Sequence, residues 1–146
     1  MQQEDLIWAM AGLPIPEIRY FDTIGSTNEV ALAWAEAGAA DGSLVAANHQ
    51  THGRGRLGRS WVTYPGAALA FSLVLCPSPG EAQRLALFSP LAGLAVCLAL
   101  QDLGLAAEIK WPNDVLLAGR KVCGILAESA WEGETLRAVV VGIGVN

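Results

Sequence analysis

Lys121 to Trp131 reads KVCGILAESAW, and after a three-residue gap Thr135 to Val145 reads TLRAVVVGIGV. The apolar residues in these stretches run almost without interruption. That is the pattern of strands buried on both faces or covered by helices. Ala107 to Trp111 adds a third strand-like piece after Gly104. Working back along the chain, Ile18 to Thr23 (IRYFDT) and Ser43 to Asn48 (SLVAAN) read as short strands. Ala68 to Cys76 (ALAFSLVLC) alternates, with Leu69, Phe71, Leu73 and Leu75 on one face, and Pro77-Ser78-Pro79-Gly80 breaks it. Helices are fewer. Ser26-Thr27-Asn28-Glu29 opens one, with Ser26 as N-cap and Glu29 completing a capping box. Val30 and Trp34 make its inward stripe, and Gly38 ends it. Glu81 to Leu103 reads as helical. It is either kinked at Ser89-Pro90 or restarted there, with Ser89 as N-cap and Pro90 at the first helical position. Strands outnumber helices and do not alternate strictly with them. The expected fold is α+β: one domain over residues 1–146, a mixed β-sheet packed against a few helices.

Composition narrows the function classes. Of 146 residues, 53% are hydrophobic and 16% charged, which excludes disorder. A formal net charge of -5 argues against a general nucleic-acid or membrane-surface binder. The N-terminus MQQEDLIWAM has no basic start of a signal peptide. The apolar run Leu85 to Leu100 reads as a buried helix rather than a membrane span. Cys76, Cys97 and Cys123 are odd in number and widely spaced, as expected of small core residues in a reducing cytoplasm. His49 and His52 have no further metal-ligand neighbours and read as loop residues.

Against that acidic background, QTHGRGRLGRSW (Gln50 to Trp61) stands out. Three of the chain's nine basic side chains fall between Gly53 and Arg59, alternating with three glycines. Glycine lets backbone N–H groups approach a ligand, and arginine pairs bidentately with phosphate or carboxylate. The pattern suits a small anionic ligand. With like charges and no partner to order it, the loop is expected to be mobile when empty. KWPNDV (Lys110 to Val115) runs from strand into turn, because Pro112 holds Trp111 extended. Asn113 and Asp114 then present an amide and a carboxylate. Asp114 could hold Mg²⁺ or orient an incoming amine, or the segment is an ordinary turn. Lys121 enters the next strand either to meet a ligand carboxylate or to guard an edge. Gly124, Gly142 and Gly144, inside apolar strands, suggest something lying close to the backbone.

Taken together, GSTN (Gly25 to Asn28), the arginine loop, KWPND, RKVCGILAE (Arg120 to Glu128) and GIGVN (Gly142 to Asn146) resemble the biotin–protein ligases, the enzymes that biotinylate acetyl-CoA carboxylase. The match runs from about Phe21 to Asn146. The resemblance implies ATP-dependent formation of biotinyl-AMP with Mg²⁺, then transfer to a lysine of a biotin carboxyl carrier protein in the cytoplasm. It implies no nucleic-acid or membrane partner, and a homodimer is compatible with it. Carried over residue by residue, it assigns biotin contacts to Ser26, Thr27, Asn28, Gln50, Arg54, Gly55, Arg56, Trp61, Lys121 and Gly124. It assigns ATP contacts to Arg54, Arg56, Arg59, Lys110, Asn113 and Asn146, and catalytic roles to Lys121, Arg54, Arg56 and Asp114. Leu57 sits where some members carry another arginine. The resemblance covers the catalytic domain alone, and the chain is expected to lack the DNA-binding domain and the C-terminal β domain of larger members. It is therefore expected to be of the non-repressor type and to bind biotin better than it turns it over. The rival resemblances are a lipoate–protein ligase or octanoyltransferase, and a non-catalytic biotin- or biotinyl-AMP-binding module.

Overall fold

The computed structural model describes residues 3–146. Seven strands form one mixed sheet: β1 (Ile18–Ile24), β2 (Leu44–Gln50), β3 (Leu69–Leu75), β4 (Ala107–Lys110), β5 (Asp114–Leu117), β6 (Arg120–Glu132) and β7 (Thr135–Val145). Their order across the sheet is β1-β2-β3-β7-β6-β5-β4. Only β1 and β2 run parallel; the other neighbours are antiparallel. Four α-helices complete the fold: α1 (Gln3–Met10), α2 (Thr27–Glu36), α3 (Pro79–Ala82) and α4 (Phe88–Asp102). The α+β expectation holds.

The sheet is covered on both faces, as its continuous apolar strands require. On one side α2 packs Ala31, Trp34 and Ala35 onto Val45, Val74, Ala138 and Val140. On the other, α4 brings Cys97 against Val115, Cys123, Ile125, Val139 and Val141. On that same side Leu6 of α1 covers Leu44 and Ala46. In β3, Phe71, Leu73 and Leu75 face the α1/α4 side, while Ala70, Ser72 and Val74 face α2. Both sets are needed because neither face meets open water.

Several local expectations change. Ser26 is the N-cap of α2, but its hydroxyl makes no capping bond, so the expected capping box is absent there. A capping box does form at Ser78, whose N–H and hydroxyl both donate to Glu81 Oε2, so the proline-rich breaker starts α3. The long helix is interrupted before Ser89, with a 3₁₀ turn at Leu85–Leu87. Leu87 caps α4, and Pro90 sits in its first turn, where a missing N–H is harmless. α4 is also not a buried helix. Its inward residues Gly93 and Cys97 are covered, while Leu91, Leu94 and Leu98 face outward. The stretch Leu85–Asp102 is long and apolar enough to cross a membrane by length and composition alone, with mean hydropathy 1.6. Cys76 is exposed rather than a core residue. His49 belongs to β2 rather than to the loop, and its ring Nδ1 lies 3.0 Å from the Thr63 carbonyl.

The β5–β6 hairpin positions the site. Its two turn residues, Ala118 and Gly119, both have positive φ, as a tight two-residue hairpin demands. The pairing then shifts: Leu116 faces Lys121 but Val115 faces Cys123, leaving Val122 as an extra residue. Such a bulge places two successive side chains on one face. Val122 and Cys123 both pack toward α4, and Lys121 is re-aimed to the α2 side.

Candidate functional site

A cavity of about 230 Å³ opens on the α2 side of the sheet, at the N-terminus of α2. Its floor is a consequence of register. Ala70, Gly144 and Gly124 are cross-strand partners on β3, β7 and β6, and Asp114 of β5 continues the row. The next row pairs Ser72, Gly142 and Leu126. What approaches the three glycines is now visible. The indole of Trp61 lies where a Cβ on Gly144 or Gly124 would stand, and the Asn28 amide lies where one on Gly142 would stand. The indole N–H of Trp61 is buried and makes no hydrogen bond within the chain.

One end of the cavity is neutral and polar. Gln50 Oε1 accepts from the Thr27 N–H at 2.8 Å and lies 3.0 Å from Thr27 Oγ1. Ser72 Oγ lies 2.6 Å from Asn28 Oδ1 and 2.8 Å from Thr27 Oγ1. An amide oxygen can only accept, so the single Ser72 proton goes to Asn28 Oδ1 and the single Thr27 hydroxyl proton to Gln50 Oε1. Ser26, whose hydroxyl caps nothing, lines the same end.

The other end is cationic. Lys121 Nζ sits 2.8 Å from Asp114 Oδ1 and 5.4 Å from the Trp61 ring centre. Arg56 Nη1 donates to Asn113 Oδ1 at 3.1 Å. The Asn113 Nδ2 in turn donates to the Ile125 carbonyl at 3.1 Å, fixing its orientation on β6. Arg54 Nη2 donates to Glu128 Oε2 at 2.8 Å, and its Nε is 3.7 Å from Glu29 Oε1. The loop arginines therefore have partners within the chain, which the sequence reading did not supply. The arginines do not face one another unpaired; Arg54 has two carboxylates and Arg56 an amide. Backbone bonds help: Trp61 N–H to Gly53 O at 2.8 Å and Gly55 N–H to Arg59 O at 2.7 Å. Thr63, buried, anchors the loop exit by accepting the Gln50 N–H at 2.8 Å. On the outer side of the loop lies a wider, open hollow of about 830 Å³ that shares Arg54, Arg56, Arg59 and Trp61 with the cavity.

The structure brings most of the predicted residues together. Ser26, Thr27, Asn28 and Gln50 line the cavity, as do Arg54, Gly55, Arg56, Arg59 and Trp61, and so do Asn113, Asp114, Lys121 and Gly124. Lys110 and Asn146 do not line it. Lys110 is on the far edge strand β4, and the Asn146 amide donates to the Val62 carbonyl at 3.3 Å. The Mg²⁺ seat expected at Asp114 does not fit, because the Lys121 ammonium occupies that carboxylate. No group of three metal-ligating side chains exists among the described residues. Ser72, Glu128, Glu29, Thr63 and Leu126 were missed as site residues. Glu128 was legible as the last residue of the RKVCGILAE stretch; a buried serine in an alternating strand gives no such signal.

The comparisons agree with this geometry. The profile of the biotin/lipoate A/B protein ligase family matches residues 20–146. A biotin–acetyl-CoA-carboxylase ligase of Paracoccus denitrificans is 48% identical over 128 residues, covering 83% of this chain and 50% of that protein. The bifunctional ligase/repressor BirA of Bacillus subtilis is 39% identical over 128 residues, covering 87% of this chain and 39% of its own length. The chain thus spans half or less of these relatives. Among solved structures, the biotin protein ligase of Aquifex aeolicus in complex with biotin and ATP superposes with a TM-score of 0.76 at 34% identity. That match covers 90% of this chain and 53% of that one. A single sheet carrying the STN, arginine-loop, KWPND and GIGVN segments around one cavity, matched over 20–146, places the chain in the biotin/lipoate A/B protein ligase family.

Proposed function

We propose that this chain binds biotin and ATP and joins them as biotinyl-AMP, which then charges a lysine of a biotin carboxyl carrier protein. The observation that carries this reading is the cavity's two-ended chemistry. Biotin has a neutral ureido ring at one end and a carboxylate at the other. The hydroxyl and amide groups of Ser26, Thr27 and Gln50 suit the ring. Trp61 and the glycine floor suit the apolar middle. Lys121 and the arginine loop suit the carboxylate and, beside it, the α-phosphate.

In the first step a biotin carboxylate oxygen attacks the α-phosphorus, forming a P–O bond as the bond to pyrophosphate breaks. Lys121 holds the attacking carboxylate, and Arg56, Arg54 and Arg59 offset charge moving onto the phosphates by preorganised electrostatics. The outer hollow along the same loop supports ATP at this position. Asp114, paired with Lys121, would not hold Mg²⁺; an ion carried in with ATP would add to the charge neutralisation that the arginines supply. In the second step a neutral carrier lysine attacks the biotinyl carbonyl carbon, AMP leaves, and the amine sheds its proton. Such a reaction belongs in the cytoplasm, with ATP and carrier. Lys110 and Asn146 keep their proposed ATP roles only if residues at the cavity rim close inward on nucleotide.

The test is pyrophosphate release from ATP. It is expected to require biotin, to be unaffected by lipoate, and to precede label transfer from biotin to a carrier lysine. Biotin binding by calorimetry with no pyrophosphate release would favour a binding module. Release driven equally by lipoate would overturn the assignment.

A further inference from the structure

Glu128 has no part in the steps above, yet it joins the two halves of the site. Asn28 is buried, and its hydrogen bonds are committed inside the protein. Its Nδ2 donates to the Leu126 carbonyl at 3.2 Å and to Glu128 Oε2 at 2.8 Å, and its Oδ1 accepts from Ser72 at 2.6 Å. Both donor hydrogens are spent, so Asn28 has no N–H to hand to a ligand. The same Glu128 oxygen accepts from Arg54 Nη2 at 2.8 Å. A continuous brace therefore runs from the sheet floor to the arginine loop: Ser72, Asn28, Glu128, Arg54. Gly142 is part of it by omission, since a Cβ there would strike the Asn28 amide.

We propose that Glu128 is a positioning residue that fixes the Arg54 guanidinium over the cavity, with Asn28 as its footing rather than as a ligand contact. This rests on the function proposed above. Two donors on one ionised oxygen, in a side chain only 26% exposed, make a stronger and more directional tie than a solvated surface pair. Glutamine replaces it only in part. A glutamine oxygen could still accept from both donors, but without the charge that makes these two bonds strong.

The test is Glu128→Gln in the full chain. Hydrogen exchange of residues 53–59, without ligand, is expected to speed up by about tenfold or more, because the loop loses its footing on the sheet. Pyrophosphate release at saturating biotin and ATP should fall by roughly tenfold or more, with biotin affinity within about threefold of the parent. Arg54→Met should speed loop exchange to the same degree, and the double variant should be no worse than either single one. If Glu128→Gln does not fold, the Arg54→Met exchange measurement decides alone. Unchanged loop exchange, or a parallel fall in melting temperature and biotin affinity with the loop unmoved, would overturn the proposal. Should the parent protein release no pyrophosphate, the functional reading fails. The exchange comparison, which needs no ligand, still decides whether the brace exists.

Discussion

Lys121 owes its place in the cavity to one extra residue, Val122, in the β5–β6 pairing. Its side chain is 42% exposed and its ammonium is paired with Asp114, so removing it should disturb the fold little. Lys121→Ala is expected to lower the rate of biotinyl-AMP formation by roughly 10- to 150-fold, the worth of one charge-assisted contact, with a melting temperature near that of the parent. An unfolded variant, or one with full adenylation, would refute the role. Two residues on, Cys123 points the other way, into the α4 side. Burial pushes its thiol up from 9.0 to about 12, with Asp114 adding to the shift and Lys121 opposing it. The folded chain thus keeps a proton that the unfolded chain releases near 9. The resulting stability is complete below that pH and is lost as pH rises toward 12. Between about pH 8 and about pH 11, the parent should lose more stability than Cys123→Ala, and equal slopes in denaturant titrations would exclude this. Lys121 was singled out from sequence because it opens an apolar strand. Its partner Asp114 was named for other chemistry, since the bulge that joins the two has no signature in residue type.

At the scale of elements, β7 supplies the valines of the core on one face and the emptiness of the site on the other. Gly142→Ala should unseat the Asn28 amide, and Gly144→Ala the Trp61 indole, each at a cost of about 1–3 kcal/mol of stability from overpacking. The two should differ in readout. Gly144→Ala should shift tryptophan fluorescence and weaken biotin binding, whereas Gly142→Ala should loosen residues 53–59 as Glu128→Gln does. Matching behaviour in both would count against separate seats. The strands β6 and β7 were readable because long apolar runs have few alternatives, and their glycines announced close contact. β5 was missed because four residues after a Pro-Asn turn carry too little pattern to register. Of the two readings at Ser89-Pro90, the restart with proline in the first turn is the one the structure follows, with Leu87 rather than Ser89 as the cap. The pairing of Arg54 was not legible at all. Glu29 and Glu128 lie 25 and 74 residues from Arg54, and only the closed sheet brings them to it.

For the whole molecule, the two covers of the sheet are unequal. α2 carries the site; α4 carries the larger core and leaves Leu91, Leu94 and Leu98 facing outward. Leu94→Gln with Leu98→Gln should therefore leave the melting temperature within a few degrees of the parent, since those side chains have little burial to lose. Ile125→Ala, beneath the same helix, should cost about 2–5 kcal/mol. A large loss from the leucine pair would mean that their outward face is covered in solution. The alternation along β7 has one more consequence. Val139, Val141 and Ile143 turn toward α4, and Gly142 and Gly144 toward the cavity. If β7 slipped by one residue against β3 and β6, the glycines would vacate the cavity floor and branched side chains would fill it. A mispaired sheet would lose its core and its ligand site in the same error. Ligand capture then acts as proofreading of the fold: in a refolded sample, the molecules that bind are those whose strands closed in step, and titrating them counts the correctly made fraction.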